Sequence, residues 1–194
     1  MKKIVFIIGL ILTSQALLQA QSNKHEIVLG YGTVIHYDVQ EVTVNLAITL
    51  VSVGYVNTVY KNGSGTFFFG YRYSPVKSIS VGIEGGYHRI DQEAWSQDEF
   101  LGKLNRQYYI MTGLANFNYV SKPSFQMYAG LAIGYAFQNI QYLPVEGEGN
   151  VEKPGQLAFH ISAVGFRFGK SIGGFFELGY GYKGVINFGL SVKL

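Results

Sequence analysis

From Ser124 to Asn139 the chain alternates without a fault. Phe125, Met127, Ala129, Leu131, Ile133, Tyr135 and Phe137 fall on one side of an extended strand. Gln126, Tyr128, Gly130, Ala132, Gly134, Ala136 and Gln138 fall on the other. Successive side chains of a strand point to opposite faces, so a period of two over this length specifies a two-faced strand and excludes a helix. The last segment, Val185 to Leu194, repeats the pattern. Ile186, Phe188, Leu190, Val192 and Leu194 alternate with Asn187, Gly189, Ser191 and Lys193. Ile27–Thr33, Thr66–Tyr73, Ser78–Arg89 and Gly174–Tyr182 read the same way. Arg106–Tyr119 and Gln156–Phe168 are strand-like with a muddier phase, and Ala163-Val164 reads as a slip between faces, the signature of a bulge. Eight strands are expected.

The connections between them are sorted by length. Ser74–Lys77, Ser121–Pro123 and Gly169–Gly173 are short. On the other side, the links over about 34–65, 91–105 and 141–155 are long, and only the one around Lys183-Gly184 is short. Short turns on one rim and long loops on the other characterise an up-and-down outer-membrane barrel. The contents of the two faces point the same way. A soluble barrel such as a lipocalin turns its large apolar residues inward, whereas a membrane barrel turns them out. Here the large residues share one face, and Gly, Ala, Ser and Gln the other, joined by Glu84 and Glu177. Small side chains suit the narrow interior of eight strands. Tyrosines fall near strand ends on the large face: Tyr71 and Tyr73 at one rim, and Tyr87, Tyr135, Tyr180 and Tyr182 at the other. Such rings sit well where hydrocarbon meets headgroups.

The beginning of the chain reads as an export signal. Met1-Lys2-Lys3 is basic, Ile4 to Leu12 is apolar, and Ala20 offers a small residue before a cut at Gln21. Residues 1–20 are therefore expected to be removed, leaving 21–194 as one barrel domain in the bacterial outer membrane. The formal charge of +3 then loses Lys2 and Lys3, leaving 15 − 2 = 13 basic residues against 12 acidic ones. A balance of +1 gives no electrostatic case for nucleic acid. Cysteine is absent, which excludes disulfide scaffolds, thiol nucleophiles and a lipid anchor on cysteine. No cofactor or metal site is expected from four scattered histidines.

The stretch Gly173-Gly174-Phe175-Phe176-Glu177-Leu178-Gly179-Tyr180-Gly181-Tyr182-Lys183-Gly184-Val185-Ile186-Asn187-Phe188-Gly189-Leu190 resembles the closing hairpin of small Bacteroidota outer-membrane β-barrel proteins. Gly30-Tyr31-Gly32 and Phe69-Gly70-Tyr71-Arg72-Tyr73 are similar to the same family. The resemblance covers most of the mature chain. It implies a porin-like or OmpA-like transmembrane barrel without a periplasmic domain, monomeric, inserted in outer-membrane lipid by the barrel-assembly machinery through its C-terminal strand. It implies little chemistry.

Four groups of residues are candidates for function. Glu26, Arg72, Glu84, Arg167, Glu177 and Lys193 are expected in the lumen, with Glu177 and Lys193 near the same short-turn rim. Opposite charges in a narrow lumen should pair. His160-Ile161-Ser162 echoes the His-x-Ser pair of outer-membrane lipid A deacylases, but Ala163 stands where that motif continues with asparagine, and alternation points both side chains inward. Gly179–Gly184 matches a dinucleotide-binding glycine pattern, yet a strand follows where that pattern needs a helix. Asp91, Glu93, Trp95, Asp98 and Glu99 in one long loop, and Glu146, Glu148 and Glu152 in another, are the expected interaction surface, for divalent cations or a partner. Val39 to Val56 is too apolar for a free loop. It reads as a short helix over the barrel mouth or as an extra hairpin turning at Asn62-Gly63, which would raise the count to ten strands. The expected function is a non-enzymatic integral barrel serving envelope integrity or surface interaction. A small pore, a lipid-modifying enzyme and a secreted lipocalin-like binder are the alternatives.

Overall fold

The computed structural model describes residues 24–33, 57–96, 99–145 and 147–194. The expected signal segment, the helix or hairpin over 39–56, Asp98 and Glu146 lie outside them. The described residues form one antiparallel sheet closed on itself. Its strands are β1 (His25–Thr33), β2 (Asn57–Gly63), β3 (Thr66–Val76), β4 (Ile79–Ser96), β5 (Glu99–Lys122), β6 (Phe125–Pro144), β7 (Asn150–Glu152), β8 (Gly155–Gly169), β9 (Ile172–Gly181) and β10 (Ile186–Lys193). Pairing runs β1–β3–β4–β5–β6–β8–β9–β10 and returns to β1, with Glu26 opposite Lys193 and Thr33 opposite Ile186 across the closure.

Ten strand segments make eight staves. β2 pairs with the same neighbour as β3, so the two are one stave interrupted at Ser64-Gly65. Gly65 has φ +69°, and a Cβ there would collide with the Tyr31 ring, whose hydroxyl donates to the Ser64 carbonyl. β7 likewise shares its neighbour β6 with β8, and Pro154 marks the break. Asn62 and Gly63 pair with Asp91 and Ile90 inside the ladder. The extra hairpin turn expected at that dipeptide does not form. Its residues instead continue the second stave, because β4 is long enough to pair them.

The slip at Ala163-Val164 is a bulge. The register of β8 against β9 shifts between Ser162 and Val164, and against β6 between Gly130 and Tyr128. The extra residue restores the phase, so Arg167 faces inward like His160 and Ser162.

Inside and outside follow the alternation. Leu131, Ile133, Tyr135 and Phe137 are exposed on the outer wall, while Tyr128, Ala132 and Ala136 are buried in the lumen. Aromatic side chains ring the outer wall at two levels, Tyr73, Phe117, Tyr119 and Phe168 toward the short turns and Phe67, Tyr109, Tyr135 and Phe137 toward the long loops. Tyr182 departs from its expected place on this wall and is 1% exposed, inside. The cause is Gly181, whose φ of +138° ends β9 and breaks the alternation, turning both Tyr182 and Lys183 into the lumen.

The lumen is packed. Phe68 and Phe175 meet at a tilt of 52°, ring centroids 6.1 Å apart, beside Val28. Their rings lie where a Gly30 side chain would be, with Phe68 Cζ 2.4 Å from an ideal Cβ there. The rings have no room to retreat in a closed wall, so Gly30→Ala is expected to cost about 1–3 kcal/mol by overpacking. Urea unfolding of the folded protein in micelles reads this cost, and an unchanged midpoint would refute the packing described.

Three single strands are longer than the others. β4, β5 and β6 hold 18, 24 and 20 residues, against 9 in β1 and 8 in β10. A membrane-spanning strand needs about 9–11 residues. The surplus of β4, β5 and β6, flanked by β2 and β7, stands beyond the barrel as an open five-stranded sheet. The expected loops over 91–105 and 141–155 are therefore mostly strand. Asp91, Glu93 and Trp95 lie on β4, Glu99 on β5 and Glu152 on β7.

Candidate functional site

The lumen holds charge in two clusters. The larger joins β3, β4, β8, β9 and the β9–β10 turn. Glu177 Oε1 receives Lys183 Nζ at 3.0 Å, His160 Nε2 at 3.0 Å and Asn187 Nδ2 at 3.4 Å, while its Oε2 accepts the Tyr128 hydroxyl at 3.1 Å. Lys183 Nζ also stands 3.5 Å from Glu84 Oε1, which accepts the Tyr182 hydroxyl at 2.5 Å. Arg72 closes the group, 3.8 Å from Glu84 Oε2 and 5.7 Å above the Tyr128 ring. The Lys183 ammonium rests 5.1 Å from the Phe68 ring. Two carboxylates thus face two cations. With His160 neutral the cluster carries no net charge, which is what a low-dielectric interior demands.

The smaller cluster holds the short-turn end. Arg167 Nε donates to Ser191 Oγ at 2.6 Å and pairs with Glu26 Oε1 at 2.8 Å. Its two terminal nitrogens donate to the carbonyls of Gly169, Lys170 and Ser171 at 2.6, 3.0 and 3.3 Å. One guanidinium therefore ties the β8–β9 turn to β1 and β10. Its planar fork of donors suits it to several acceptors at once.

Five of the six expected lumen charges are buried: Glu26, Arg72, Glu84, Arg167 and Glu177. Lys193 is half-buried at the short-turn mouth, opposite Glu26. It does not meet Glu177, whose register partner on β10 is Asn187. The staves are staggered, so residues near the ends of neighbouring strands stand at different heights. Lys183 takes the role expected of Lys193. Sequence reasoning placed Lys183 in a hairpin turn, and no periodicity marks it, because a positive-φ glycine brought it inside. Tyr128 and Asn187 carried a signal, since each sits on the small, polar face of its own strand.

His160 and Ser162 lie side by side on β8, fully and almost fully buried. Both side chains point to the same, inner face of the strand. His160 Nε2 is occupied by Glu177. A space of about 10 Å³ lies beside the smaller cluster, lined by Glu26, Arg72, Tyr128 and Arg167 among others. That is room for roughly one water molecule. Neither His160 nor Ser162 lines that space; both side chains are buried elsewhere in the lumen wall.

The candidate surface residues do not converge. Arg89 and Asp91 pair across 3.0 Å on the outer face of β4. Trp95 packs against Phe100 at 5.1 Å across the β4–β5 hairpin. Glu99, Glu148 and Glu152 are exposed. Among the described residues, no three His, Asp or Glu side chains are grouped to hold a metal ion.

Fold and lumen together define a closed eight-stranded antiparallel barrel with an apolar exterior and an ionic interior. No family model matches the chain, and no curated protein matches it. Among solved structures the chain is similar to Ail, the attachment invasion locus protein of Yersinia pestis. The identity is 15% and the TM-score 0.45, over 88% of this chain and 97% of that one.

Proposed function

We propose that this chain is a non-enzymatic integral outer-membrane barrel. Its lumen is closed to ions, and it presents the sheet of β2, β4, β5, β6 and β7 to the exterior in a role of envelope integrity or surface interaction. The observation that carries the reading is the inversion of burial. Leu29, Phe69, Ile83, Met111, Leu131, Ile133, Ile161 and Leu190 stand exposed around the outer wall, while Glu84, Glu177, Arg72 and Arg167 are buried. In water such a wall would drive aggregation. In hydrocarbon it is the required surface. Its height agrees. On β5 the aromatic levels are Tyr109 and Tyr119, ten residues apart. At about 3.3 Å per residue and a tilt of about 40°, that separation projects to about 25 Å, the apolar height of outer-membrane barrels. Short turns face the periplasm in such barrels and the long connections face out.

A lipocalin-like binder needs an apolar cavity, and the lumen is filled by paired charges and packed rings. A pore needs a water path, and the charge clusters span the lumen from β1 to β9. Protein folded in detergent and added to a planar bilayer is accordingly expected to give no stable single-channel steps. Reproducible steps, lost on blocking the lumen, would overturn the closed reading and favour the small pore. Replacement of His160 by alanine is expected to leave lipid A composition unchanged in the expressing strain. A changed acylation pattern that depends on His160 would overturn the non-enzymatic reading.

A further inference from the structure

We propose that the short-turn mouth of the barrel binds the phosphate of an anionic phospholipid from the leaflet it faces. The proposal rests on the membrane reading above. A basin of about 470 Å³ opens at this end of the molecule. Lys24 borders it from just before β1, Lys193 from the end of β10, Lys77 from the β3–β4 turn and Lys122 from the end of β5. No carboxylate side chain lines it. Glu26, the nearest acid in register, is buried behind the mouth and held by Arg167 at 2.8 Å. Among the described residues, none of the four lysines forms an ion pair.

The cations are mounted on a fixed frame. Ser74 N donates to the Lys24 carbonyl at 2.7 Å, Lys193 N to the Ser171 carbonyl at 2.7 Å, and Leu194 N to the His25 carbonyl at 2.7 Å. Four like charges set around one basin repel each other, and an anion seated among them removes that cost. The depth selects a lipid headgroup. The lysines begin just beyond Tyr73 and Tyr119, and aromatic rings of this kind mark the level of headgroups. The chemistry of the wall agrees. Ser121, whose oxygen accepts from Gln126 at 3.4 Å, keeps its O–H to donate to a phosphate oxygen, and Pro75 and Val76 offer apolar surface to a glycerol backbone. A free phosphate would leave that apolar surface without use.

The test uses the full chain folded in zwitterionic micelles, where a mobility difference between boiled and unboiled samples first establishes the barrel. Absence of that difference refutes the membrane reading itself, before any lipid is added. Folded protein is then titrated with short-chain phosphatidylglycerol, short-chain phosphatidylcholine or inorganic phosphate, and bound ligand is read by native mass spectrometry. Phosphatidylglycerol is expected to bind at least about tenfold more tightly than either of the others, because only it pairs phosphate charge with apolar contact. The Lys24→Gln/Lys77→Gln/Lys122→Gln triple variant is expected to lose roughly 100-fold of that affinity, and Lys153→Gln, an exposed lysine at the opposite end, none of it. Equal binding of the two lipids, an unaffected triple variant, or an equal loss in Lys153→Gln would overturn the proposal. Inorganic phosphate binding as tightly as phosphatidylglycerol would overturn the lipid as its source.

Discussion

Glu177→Ala is expected to destabilise the barrel by about 3–5 kcal/mol, the cost of leaving a buried cation unpaired. Glu177 is the hub of the larger lumen cluster, bonded to Lys183, His160, Asn187 and Tyr128. With it removed, Lys183 and Arg72 share the single carboxylate of Glu84 in a closed interior. The sign of the effect comes from net charge, so a second substitution should reverse part of it. Glu177→Ala/Lys183→Met leaves Arg72 against Glu84, balanced again, and is expected to recover more than half of the loss. Urea unfolding in micelles gives both numbers. A single variant within about 1 kcal/mol of the parent, or a double variant no better than the single, would mean that the lumen charges are solvated rather than paired.

Leu131→Arg is expected to cost about 2–4 kcal/mol of stability in lipid, as a cation near the midplane of a membrane barrel does. Leu131 lies on the outer wall of β6, between the aromatic levels marked by Tyr135 and Phe125, and is 46% exposed. In a soluble protein a residue so exposed accepts arginine with a change within about 0.5 kcal/mol. The same substitution therefore separates the two settings. Tm and urea midpoints measured in phospholipid vesicles carry the comparison, with Leu131→Met as a near-neutral control. A Leu131→Arg variant that assembles and unfolds like the parent would remove lipid from the outer wall.

The staves were legible in the sequence wherever their two faces differ. Phe125–Phe137 alternates because one side meets an apolar surround and the other a narrow lumen, and Tyr128, Ala132 and Ala136 are buried while Leu131, Ile133, Tyr135 and Phe137 are exposed, as alternation puts them. The bulge at Ala163 was legible for the same reason, as a break in phase. The extension of β4 and β5 past Asp91 and Asn105 was not. Beyond the barrel each face of those strands mixes polar and apolar residues, Gln92 beside Ala94 and Glu93 beside Trp95, so the period of two fades while backbone pairing continues from Asp91–Asn105 to Ser96–Glu99. The composition of the lumen was legible, and its pairing was not. Which carboxylate meets which cation depends on strand stagger, which moved Lys193 to the mouth opposite Glu26, and on the backbone at Gly181, which delivered Lys183 to Glu177.

The central claim is that the apolar wall faces lipid and the ionic lumen is sealed inside a closed barrel. The most direct test is to express the chain in a Gram-negative host, separate the envelope, and compare gel mobility in SDS with and without boiling. The claim predicts a protein in the outer-membrane fraction whose unboiled band migrates apart from the boiled one. A protein recovered from the soluble periplasm, with a single band under both conditions, would contradict it.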